Sequence, residues 1–287
     1  MNASAQAGGA ARAPSSLLCG SLKLMNSSLL QTVKSFRMQN VVLDRDCGKQ
    51  HTCPCCGSCI STWANFGVRA AKCPVCKTLE RHRTVCFDFI TDTPKQLLTP
   101  GAAVAYFGPH ENHAKALMRA LPPMHLLEFD FFYPGYHYSR TTVKADLQAI
   151  PLQANTLDGV IVLHVLEHVP VLVRAVRELS RVVIAGGFVQ QETPCYDDKD
   201  GVRGVNKLTW NGVVEDCAAS RRNGTRRNGG VGAICRQKDH LHGFSCAYLR
   251  SVFEDHDFSC RRNQPSISDV RRFGLKQARM GFRCYRK

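Results

Sequence analysis

The sequence predicts an α/β fold, a doubly wound parallel sheet, preceded by a small zinc-ribbon-like module. Two observations lead to this fold class. Two Cys-x-x-Cys pairs, Cys53/Cys56 and Cys73/Cys76, lie close together in the first third of the chain. From residue 101 onward, short apolar segments alternate with segments of helical periodicity. This alternation is typical of a parallel sheet with helices on both faces.

The composition is that of a globular protein with a real core. The chain has 287 residues, of which 44% are hydrophobic. This length allows one large domain or two modest ones. No apolar run in the sequence approaches the length of a membrane span, so we expect no membrane-embedded segment.

Positive charge is concentrated in the last third of the chain. The whole sequence has 38 Lys and Arg against 23 Asp and Glu, a net charge of +15, and residues 199–287 hold 19 basic and 8 acidic side chains. Such an excess can attract RNA or another polyanion. RNA is therefore a candidate partner, and a merely solvated basic surface is the alternative.

The first 43 residues contain no Asp or Glu and are rich in Ala, Ser and Leu, with scattered Lys and Arg. This composition is typical of a mitochondrial or plastid transit peptide, and the long apolar block of a secretory signal is missing. We therefore expect an organelle protein, with a disordered N-terminus on a cytoplasmic protein as the alternative.

The predicted zinc module covers residues 44–92. Its four predicted ligands are Cys53, Cys56, Cys73 and Cys76. At this spacing two tight turns bring four thiolates to the corners of one tetrahedron. Cys59 could replace Cys53 as the partner of Cys56, but Pro54 repeats Pro74 at the same place in its pair, which favours Cys53.

The remaining cysteines are expected to be thiols. The chain has 15 cysteines, an odd number, and most of those outside the metal site fall singly on apolar segments. Together with a thiolate metal site, this favours a reducing compartment over a disulfide framework.

A helix from about Thr78 to Ile90 is predicted after the second cysteine pair. Helical periodicity places Leu79, Cys86, Phe89 and Ile90 inward and leaves Glu80, Arg81 and Arg83 outside. The Arg81–Arg83 segment could contact phosphate, although a helix that fixes the module to the next domain is the favoured interpretation.

The apolar segments that follow predict five strands. They are Ala103–Phe107, His125–Phe131, Val143–Leu147, Leu157–Leu166 and Phe188–Glu192. The fourth contains a nearly unbroken apolar run, typical of a strand buried on both faces of a parallel sheet. Helices are predicted at Ala114–Leu121 and after Pro170. Gly186-Gly187 is expected to end the strand–helix unit that contains the second helix and to precede the fifth strand.

Ligands of such sheets bind at the carboxyl ends of the strands. In this chain those ends carry Gly108, Asp130, Asp146 and the His164–His168 group. These residues are therefore the first candidates for a binding site.

A basic insert is predicted at about 196–238, because its Gly, Asn and Arg composition cannot bury a core. The insert could bind RNA through its basic side chains, or it could be a solvated loop.

A helix at Ala247–Asp255 and strands at Phe258–Arg261 and Gly281–Tyr285 are predicted beyond this insert. The basic side chains around the last strand are expected to be exposed: Arg261, Arg262, Arg271, Arg272, Arg283, Arg286 and Lys287.

Several of these motifs together resemble the class I S-adenosylmethionine-dependent methyltransferases of the type 11 group. The motifs are Asp146-Leu147, Ile150-Pro151, Leu157–Ile161, His164–Val169 and Gly186-Gly187. In one bacterial branch of that group, a zinc-ribbon-like segment ending in CPxCxSLERHR precedes the methyltransferase fold. Cys73–Arg83 follows that pattern almost throughout, with Phe66-Gly67 upstream, and a late DHVR-x-YG motif is matched partly by Asp239–Phe244. The resemblance covers roughly residues 53–260.

This resemblance implies a Rossmann-like methyltransferase domain over residues 93–287, with S-adenosylmethionine as cofactor. It implies that Asp130 accepts hydrogen bonds from the ribose hydroxyls of the cofactor. Asp146 would bond the adenine amino group while Leu147 packs against the ring. The segment from His164 to His168 would lie near the methyl group.

The first cofactor loop departs from the usual acidic-x-Gly-x-Gly-x-Gly pattern of these enzymes. Phe107, Gly108, Pro109 and Glu111 are the residues that would contact the cofactor there. Tyr106 stands where the acidic residue usually lies, and Glu111 follows one position later than the Glu of the bacterial branch. The departure implies that the methionine amino group of the cofactor is bound more weakly or at a shifted position.

The candidates for a catalytic base are His164, Glu167, His168 and His240, with Asp239 beside the last. A base is needed only if the acceptor loses a proton as it attacks. The sequence does not choose among them, although His240 is slightly preferred. The predicted function is methyl transfer to an unidentified acceptor. The alternative is a non-catalytic, methyltransferase-like zinc protein that binds RNA or acts as an adaptor.

Overall fold

The computed structural model describes residues 50–132, 138–196, 213–216, 242–262, 264–275 and 281–287. The predicted N-terminal segment, nearly all of the basic insert, Asp239 and His240 lie outside these residues. Within the described part of the chain, no helix is long and apolar enough to cross a membrane.

The metal module consists of two small antiparallel hairpins followed by a helix. Strands β1 (His51–Thr52) and β2 (Cys59–Ile60) form the first hairpin, and β3 (Ala64–Phe66) and β4 (Arg69–Lys72) form the second. Helix α1 (Glu80–Thr91) confirms the helix predicted after the second cysteine pair.

The central sheet has seven strands. They are β5 (Ala102–Phe107), β6 (Met124–Asp130), β7 (Val143–Lys144), β8 (Leu157–Leu163), β9 (Val183–Glu192), β13 (Phe258–Arg261) and β14 (Gly281–Arg286). Their order is β13-β14-β9-β8-β5-β6-β7. Only β14 runs antiparallel to its neighbours. The predicted doubly wound class is confirmed, and the strand order reverses at β5 and β8, where such sheets bind ligands.

Helices cover both faces of this sheet. Helix α2 (Glu111–Ala120) connects β5 to β6, and α3 (Leu172–Val182) connects β8 to β9. Helices α4 (Cys246–Glu254) and α5 (Ile267–Phe273) come later, each capped at its N-terminus by a serine hydroxyl. Short 3-10 turns occupy Lys95–Leu98 and Leu166–His168. A small three-stranded sheet contains β10 (Cys195–Tyr196), β11 (Val213–Asp216) and β12 (His242–Ser245).

Two predicted boundaries at the carboxyl ends of strands were wrong. Strand β8 ends at Leu163 instead of Leu166, because His164 has a positive φ of 55° and leaves the extended conformation. Strand β7 ends at Lys144, and Asp146 forms an isolated bridge with Ala149 beyond it. Both changes move functional candidates from strands into the loops that follow them.

The glycine pair Gly186-Gly187 lies inside β9, which begins at Val183, although it was predicted to precede the strand. A Cβ on Gly187 would lie 2.9 Å from the carbonyl oxygen of Ile184 and 3.0 Å from that of Asp158. The glycine therefore permits close backbone approach within the strand, a role that turn propensity does not reveal.

The metal module packs into the core of the larger domain. Cys53, Cys55 and Cys73 belong to the same hydrophobic cluster as residues of α1, β5 and α2, and Phe89 of α1 meets Phe188 of β9 edge-on at 5.8 Å. A second cluster, on the opposite face, unites α3 and α4 with the sheet. The module therefore covers one face of the sheet.

Two arginines that were predicted to be exposed are buried. Arg83 donates to the carbonyl oxygens of Gly274, Ala71 and Thr78, and its guanidinium lies 3.8 Å from the centre of the Trp63 ring. Arg283 is likewise buried, and it donates to the Gln190 side chain at 2.8 Å. The several donors of a guanidinium allow it to satisfy carbonyl groups inside the protein.

The expectation of thiols outside the metal site holds for Cys55 and Cys86, which are free, but it was wrong for several other described cysteines. Cys195 is disulfide-bonded to Cys246, and Cys260 to Cys284. The second pair joins residues that face each other across β13 and β14. Pairing between distant segments places these cysteines together, and their spacing in the sequence does not show it.

Candidate functional site

The four predicted metal ligands converge on one point. The Sγ atoms of Cys53, Cys56, Cys73 and Cys76 all lie within 4.8 Å of one another. The distance is 3.7 Å from Cys53 to Cys76 and 3.9 Å from Cys56 to Cys73. Four thiolates about 2.3 Å from a tetrahedral zinc ion would lie about 3.8 Å apart. The ligand set and its size therefore fit zinc.

Two similar turns build this centre. The Cys53 N–H donates to the Ser58 carbonyl and the Cys73 N–H donates to the Thr78 carbonyl, each at 2.9 Å. Cys59 is disulfide-bonded, so it does not replace Cys53. Each Cys-x-x-Cys pair therefore belongs to one turn of the same design.

A second thiol pair lies beside the metal centre. Cys55 is fully buried, with its Sγ 3.0 Å from the Sγ of Cys86 on α1. Burial raises the pKa of the Cys55 thiol well above its ordinary value, so the group stays protonated. Cys55 therefore contacts α1 from the first cysteine turn as a neutral side chain.

Arg83 supplies positive charge near the thiolates. Burial lowers the pKa of its guanidinium, while the negative charges of the Cys53 thiolate and the Glu80 carboxylate act in the opposite direction. Four thiolates around one Zn²⁺ carry a net charge of two minus. A buried guanidinium nearby partly offsets that charge.

Gly108 brings the loop after β5 against the end of β8. Its φ is +68°, and a Cβ there would lie 2.7 Å from Cγ2 of Val165 and 3.1 Å from the Leu163 carbonyl oxygen. Only glycine fits both the conformation and the space. Phe107, just before it, is buried and stacks on Phe129 of β6 at 5.2 Å. The half-buried Pro109 follows in the same loop.

Two carboxylates lie at the neighbouring strand ends. Asp130 closes β6, and its Oδ1 accepts the Phe132 N–H at 3.1 Å. Asp146 follows β7, and its Oδ1 accepts the Gln148 N–H at 2.8 Å. Both are half-buried, whereas Leu147 is buried. The two aspartates therefore lie at adjacent strand ends with their side chains accessible.

Phe131 was not identified from the sequence as a site residue. It follows Asp130 directly, and it is 49% exposed. The sequence signal was a large apolar residue placed immediately after an acidic strand end.

Glu167 lies between two histidines in the loop after β8. Its Oε1 is 3.2 Å from Nδ1 of His164 and 4.0 Å from Nε2 of His168. Burial raises the pKa of Glu167, but the hydrogen bond from His164 and the charges of both histidines outweigh it and lower the pKa. The buried Nε2 of His164 has no hydrogen-bond partner. A carboxylate therefore orients a histidine whose other nitrogen is uncommitted.

The position that is usually acidic in the first loop holds a buried Tyr106. Its hydroxyl lies 2.8 Å from Nδ1 of His113 on α2, and burial raises the pKa of the phenol. Glu111 begins α2, where it pairs with Lys115 and is 62% exposed. The loop therefore offers no buried carboxylate among the described residues.

Three histidines form a cluster that sequence reasoning missed. His82 of α1 lies 4.4 Å from His110 and 5.1 Å from His113, measured between ring centres. Burial lowers the pKa of all three, with a further contribution from the charge of Arg81. The signal was present in the LERHR segment, where His82 lies three residues after Leu79 and four before Cys86, on the helical face that was predicted to point inward.

Acidification is expected to destabilise the fold through His113. Burial lowers its pKa from 6.5 to about 3, so between these values the unfolded chain binds a proton that the folded protein does not. Stability is therefore lost as the pH falls below 6.5, by about 2 kcal/mol at pH 5 from this group. Denaturant unfolding between pH 7.5 and pH 5 measures the slope, and His113→Gln should reduce it. An unchanged slope in that variant would contradict the assignment.

The structure brings nearly all of the predicted cofactor and catalytic residues to the carboxyl ends of β5 to β8. They are Phe107, Gly108, Pro109, Asp130, Asp146, Leu147, His164, Glu167 and His168. Glu111 is nearby in the chain but its carboxylate pairs with Lys115 at the surface. His240 lies outside the described residues.

Residues 125–190 match the family model described as the methyltransferase domain. This segment runs from β6 into β9 and contains both aspartates and the His164–His168 group. No curated protein gives a significant match to the chain.

The solved structures that match this chain include several methyltransferases. The YcgJ protein of Bacillus subtilis is 14% identical, with 62% of this chain and 71% of that chain covered and a TM-score of 0.41. A protein of Thermotoga maritima described as a possible histamine N-methyltransferase is 14% identical, with 72% and 91% covered and a TM-score of 0.41. An S-adenosylmethionine-dependent methyltransferase of Mesorhizobium loti is 12% identical, with 69% and 95% covered and a TM-score of 0.43. Similarity at this level says nothing about substrate.

Proposed function

We propose that this chain, which has the fold and the family signature of the class I S-adenosylmethionine-dependent methyltransferases, is an active methyltransferase. The observation that carries the proposal is the arrangement at the carboxyl ends of β5 to β8. A glycine loop, two carboxylates and a carboxylate-oriented histidine lie along one edge of the sheet. The acceptor is left open.

The adenosine part of the donor fits the residues at β6 and β7. Asp130 has a carboxylate suited to the two hydroxyls of a ribose, because two acceptor oxygens can meet two donors. Asp146 can accept from the adenine amino group, and the exposed ring of Phe131 offers an apolar face to the base. Gly108 lets the backbone approach the ligand without a Cβ in the way.

S-adenosylmethionine, when bound, supplies a methyl group already activated by its attachment to a sulfonium. The protein must therefore mainly hold the acceptor in line with that methyl group. Glu167 holds the His164 ring through Nδ1, which leaves Nε2 to accept a proton from the attacking atom. Because Nε2 is buried, the neighbouring side chains would have to move when the acceptor binds. Glu167 stays ionised near neutral pH, since its pKa is lowered, and it would stabilise the imidazolium that forms.

Such a base is useful for an acceptor that carries a proton, such as a hydroxyl or an ammonium group. We therefore favour an oxygen or nitrogen acceptor over a thioether, which has no proton to lose. His168 lies 4.0 Å from the Glu167 carboxylate, whereas His164 lies 3.2 Å from it. We therefore assign the role of the base to His164 and assign His168 to positioning the Glu167 carboxylate.

A donor-binding protein without turnover is the second candidate. The observation that favours it is Tyr106, a buried phenol bonded to His113 at the position that is usually acidic. Such a protein, an adaptor or an RNA-binding factor, would bind the donor but transfer no methyl group to any component of a cell extract.

Asp130→Ala and Asp146→Ala are each expected to weaken binding of S-adenosylmethionine by about 10- to 100-fold, because each removes a charge-assisted hydrogen bond. Isothermal calorimetry measures the change. The matched control is Glu254→Ala, which removes an exposed carboxylate on α4 and should leave binding unchanged. Failure of the unaltered protein to bind at millimolar donor would overturn the proposed function.

A further inference from the structure

We propose that the metal module completes the donor site: Arg81, on the first turn of α1, binds the carboxylate of the methionine part of S-adenosylmethionine, and the thiolate centre holds Arg81 in place. This inference rests on the proposed function. The zinc centre would then contribute to cofactor binding as well as to the stability of its own module.

Arg81 is a cation without a counter-charge. It is half-buried, and no carboxylate in the described part of the chain forms an ion pair with it. Its Nε lies 3.4 Å from Nε2 of His82. Guanidinium groups bind carboxylates through paired N–H donors, so an unpaired one at a binding edge suits an anionic ligand.

The groups around Arg81 are neutral near pH 7. His82, His110 and His113 all have lowered pKa values, and Tyr106 keeps its proton because burial raises its pKa. The nearest acid of the loop, Glu111, is drawn to Lys115. The anion that would balance Arg81 is therefore missing from the described residues.

The position of Arg81 indicates which part of the donor it meets. Its Nε lies 3.4 Å from Nε2 of His82, whose ring centre lies 4.4 Å from that of His110. His110 directly follows Gly108-Pro109, in the loop that would approach the methionine part. The buried Nδ1 of His110 has no hydrogen-bond partner, which is a second, independent sign of a missing ligand at this point.

The altered loop after β5 is the reason why the methionine carboxylate of the donor would need a partner in this protein. Tyr106 replaces the acidic residue that would hold the methionine amino group, and its hydroxyl is committed to His113. With no acid in place, the zwitterionic end of the donor can be held through its carboxylate. Arg81 is the cation placed to do so.

The metal centre fixes the start of α1. The hydroxyl of Thr78 lies 3.0 Å from Sγ of Cys76, and its carbonyl accepts from Arg83 at 2.9 Å. The Leu79 N–H then donates to Nδ1 of His82 at 3.2 Å. These contacts join residues on both sides of Arg81, from Cys76 to Arg83, so the second cysteine turn sets the position of the helix start.

The test compares two ligands on the full-length zinc-loaded protein. S-adenosylhomocysteine carries the methionine-type carboxylate, whereas methylthioadenosine has the same adenosine and sulfur without the amino-acid part. Arg81→Met is expected to weaken S-adenosylhomocysteine binding by about 10- to 100-fold and to change methylthioadenosine binding by less than about twofold. Arg119→Met, on the exposed face of α2, is the matched control and should change neither.

The outcomes separate this inference from the proposed function. If the unaltered protein binds neither ligand, the proposed function fails. If it binds both and Arg81→Met changes neither, or both equally, the inference fails. It also fails if Arg81→Met lowers only methyl transfer to extract and leaves S-adenosylhomocysteine binding intact, because the anion would then belong to the acceptor.

A second measurement addresses the metal. Zinc is removed stepwise with a chelator, and zinc content and both ligand affinities are followed together. We expect the number of tight S-adenosylhomocysteine sites to fall with zinc content while methylthioadenosine still binds. Equal loss of both ligands, or tight S-adenosylhomocysteine binding by zinc-free protein, would overturn the link between the metal and Arg81.

Discussion

Replacing Glu167 by glutamine is expected to lower the rate of methyl transfer by about 100- to 10,000-fold, the range of a lost general base. The amide keeps the shape of the side chain but removes the charge that orients His164 and stabilises its protonated form. Donor binding should change by less than about threefold, since the side chain lies 3.2 Å from a histidine and is fully buried. Transfer of labelled methyl groups to size-fractionated cell extract measures the rate.

Glu178→Gln is the matched control for this experiment. Glu178 is also a carboxylate whose pKa is lowered by a basic partner, Arg181, but it lies on α3, where it accepts the Ile150 N–H and bonds none of the described residues of the predicted site. It should retain normal transfer. A Glu167→Gln protein that transfers methyl groups at the normal rate would exclude His164 and Glu167 as the base.

Replacing Cys73 by serine is expected to abolish stoichiometric zinc binding and to lower the free energy of unfolding by about 3 kcal/mol or more. The variant loses one of four ligands, and the buried Arg83 then faces a weaker negative charge. Metal analysis and denaturant unfolding measure the two effects.

Cys86→Ser provides the comparison, because Cys86 is buried beside Cys55 but lies outside the ligand set. It should keep its zinc. Retention of one zinc per chain by Cys73→Ser would show that the ligand set is wrong.

The sheet could be predicted closely wherever one apolar run forms one strand. Strands β5 and β6 begin and end within one residue of the predicted limits, because most of their residues are buried. Strand β13 also matches its predicted limits, and its residues alternate between buried and exposed. The prediction failed at Gly186-Gly187, where glycine allows strands to approach instead of ending one. Glycine is favoured both in turns and where two backbones pack closely, so the sequence pattern alone does not distinguish the two cases.

The candidate site could be predicted in part. Asp130, Asp146 and Gly108 were identified because strand ends in a parallel sheet share one edge. Arg83 was missed as an interior residue because a charged helical position is expected outside, and His82 was missed because it is polar, although it shares a helical face with Leu79 and Cys86. What buries them lies far away in the chain: the Gly274 carbonyl oxygen for Arg83 and the His110 and His113 rings for His82.

The contact between α5 and the metal module has a consequence for how the protein unfolds. Phe273 of α5 packs on Phe87 of α1 at 5.2 Å, and a Cβ on Gly274 would lie 2.4 Å from the Trp63 ring. These contacts join elements that lie far apart in the chain. We expect a protein shortened to begin after residue 92 to expose an aromatic surface on α5 and to aggregate.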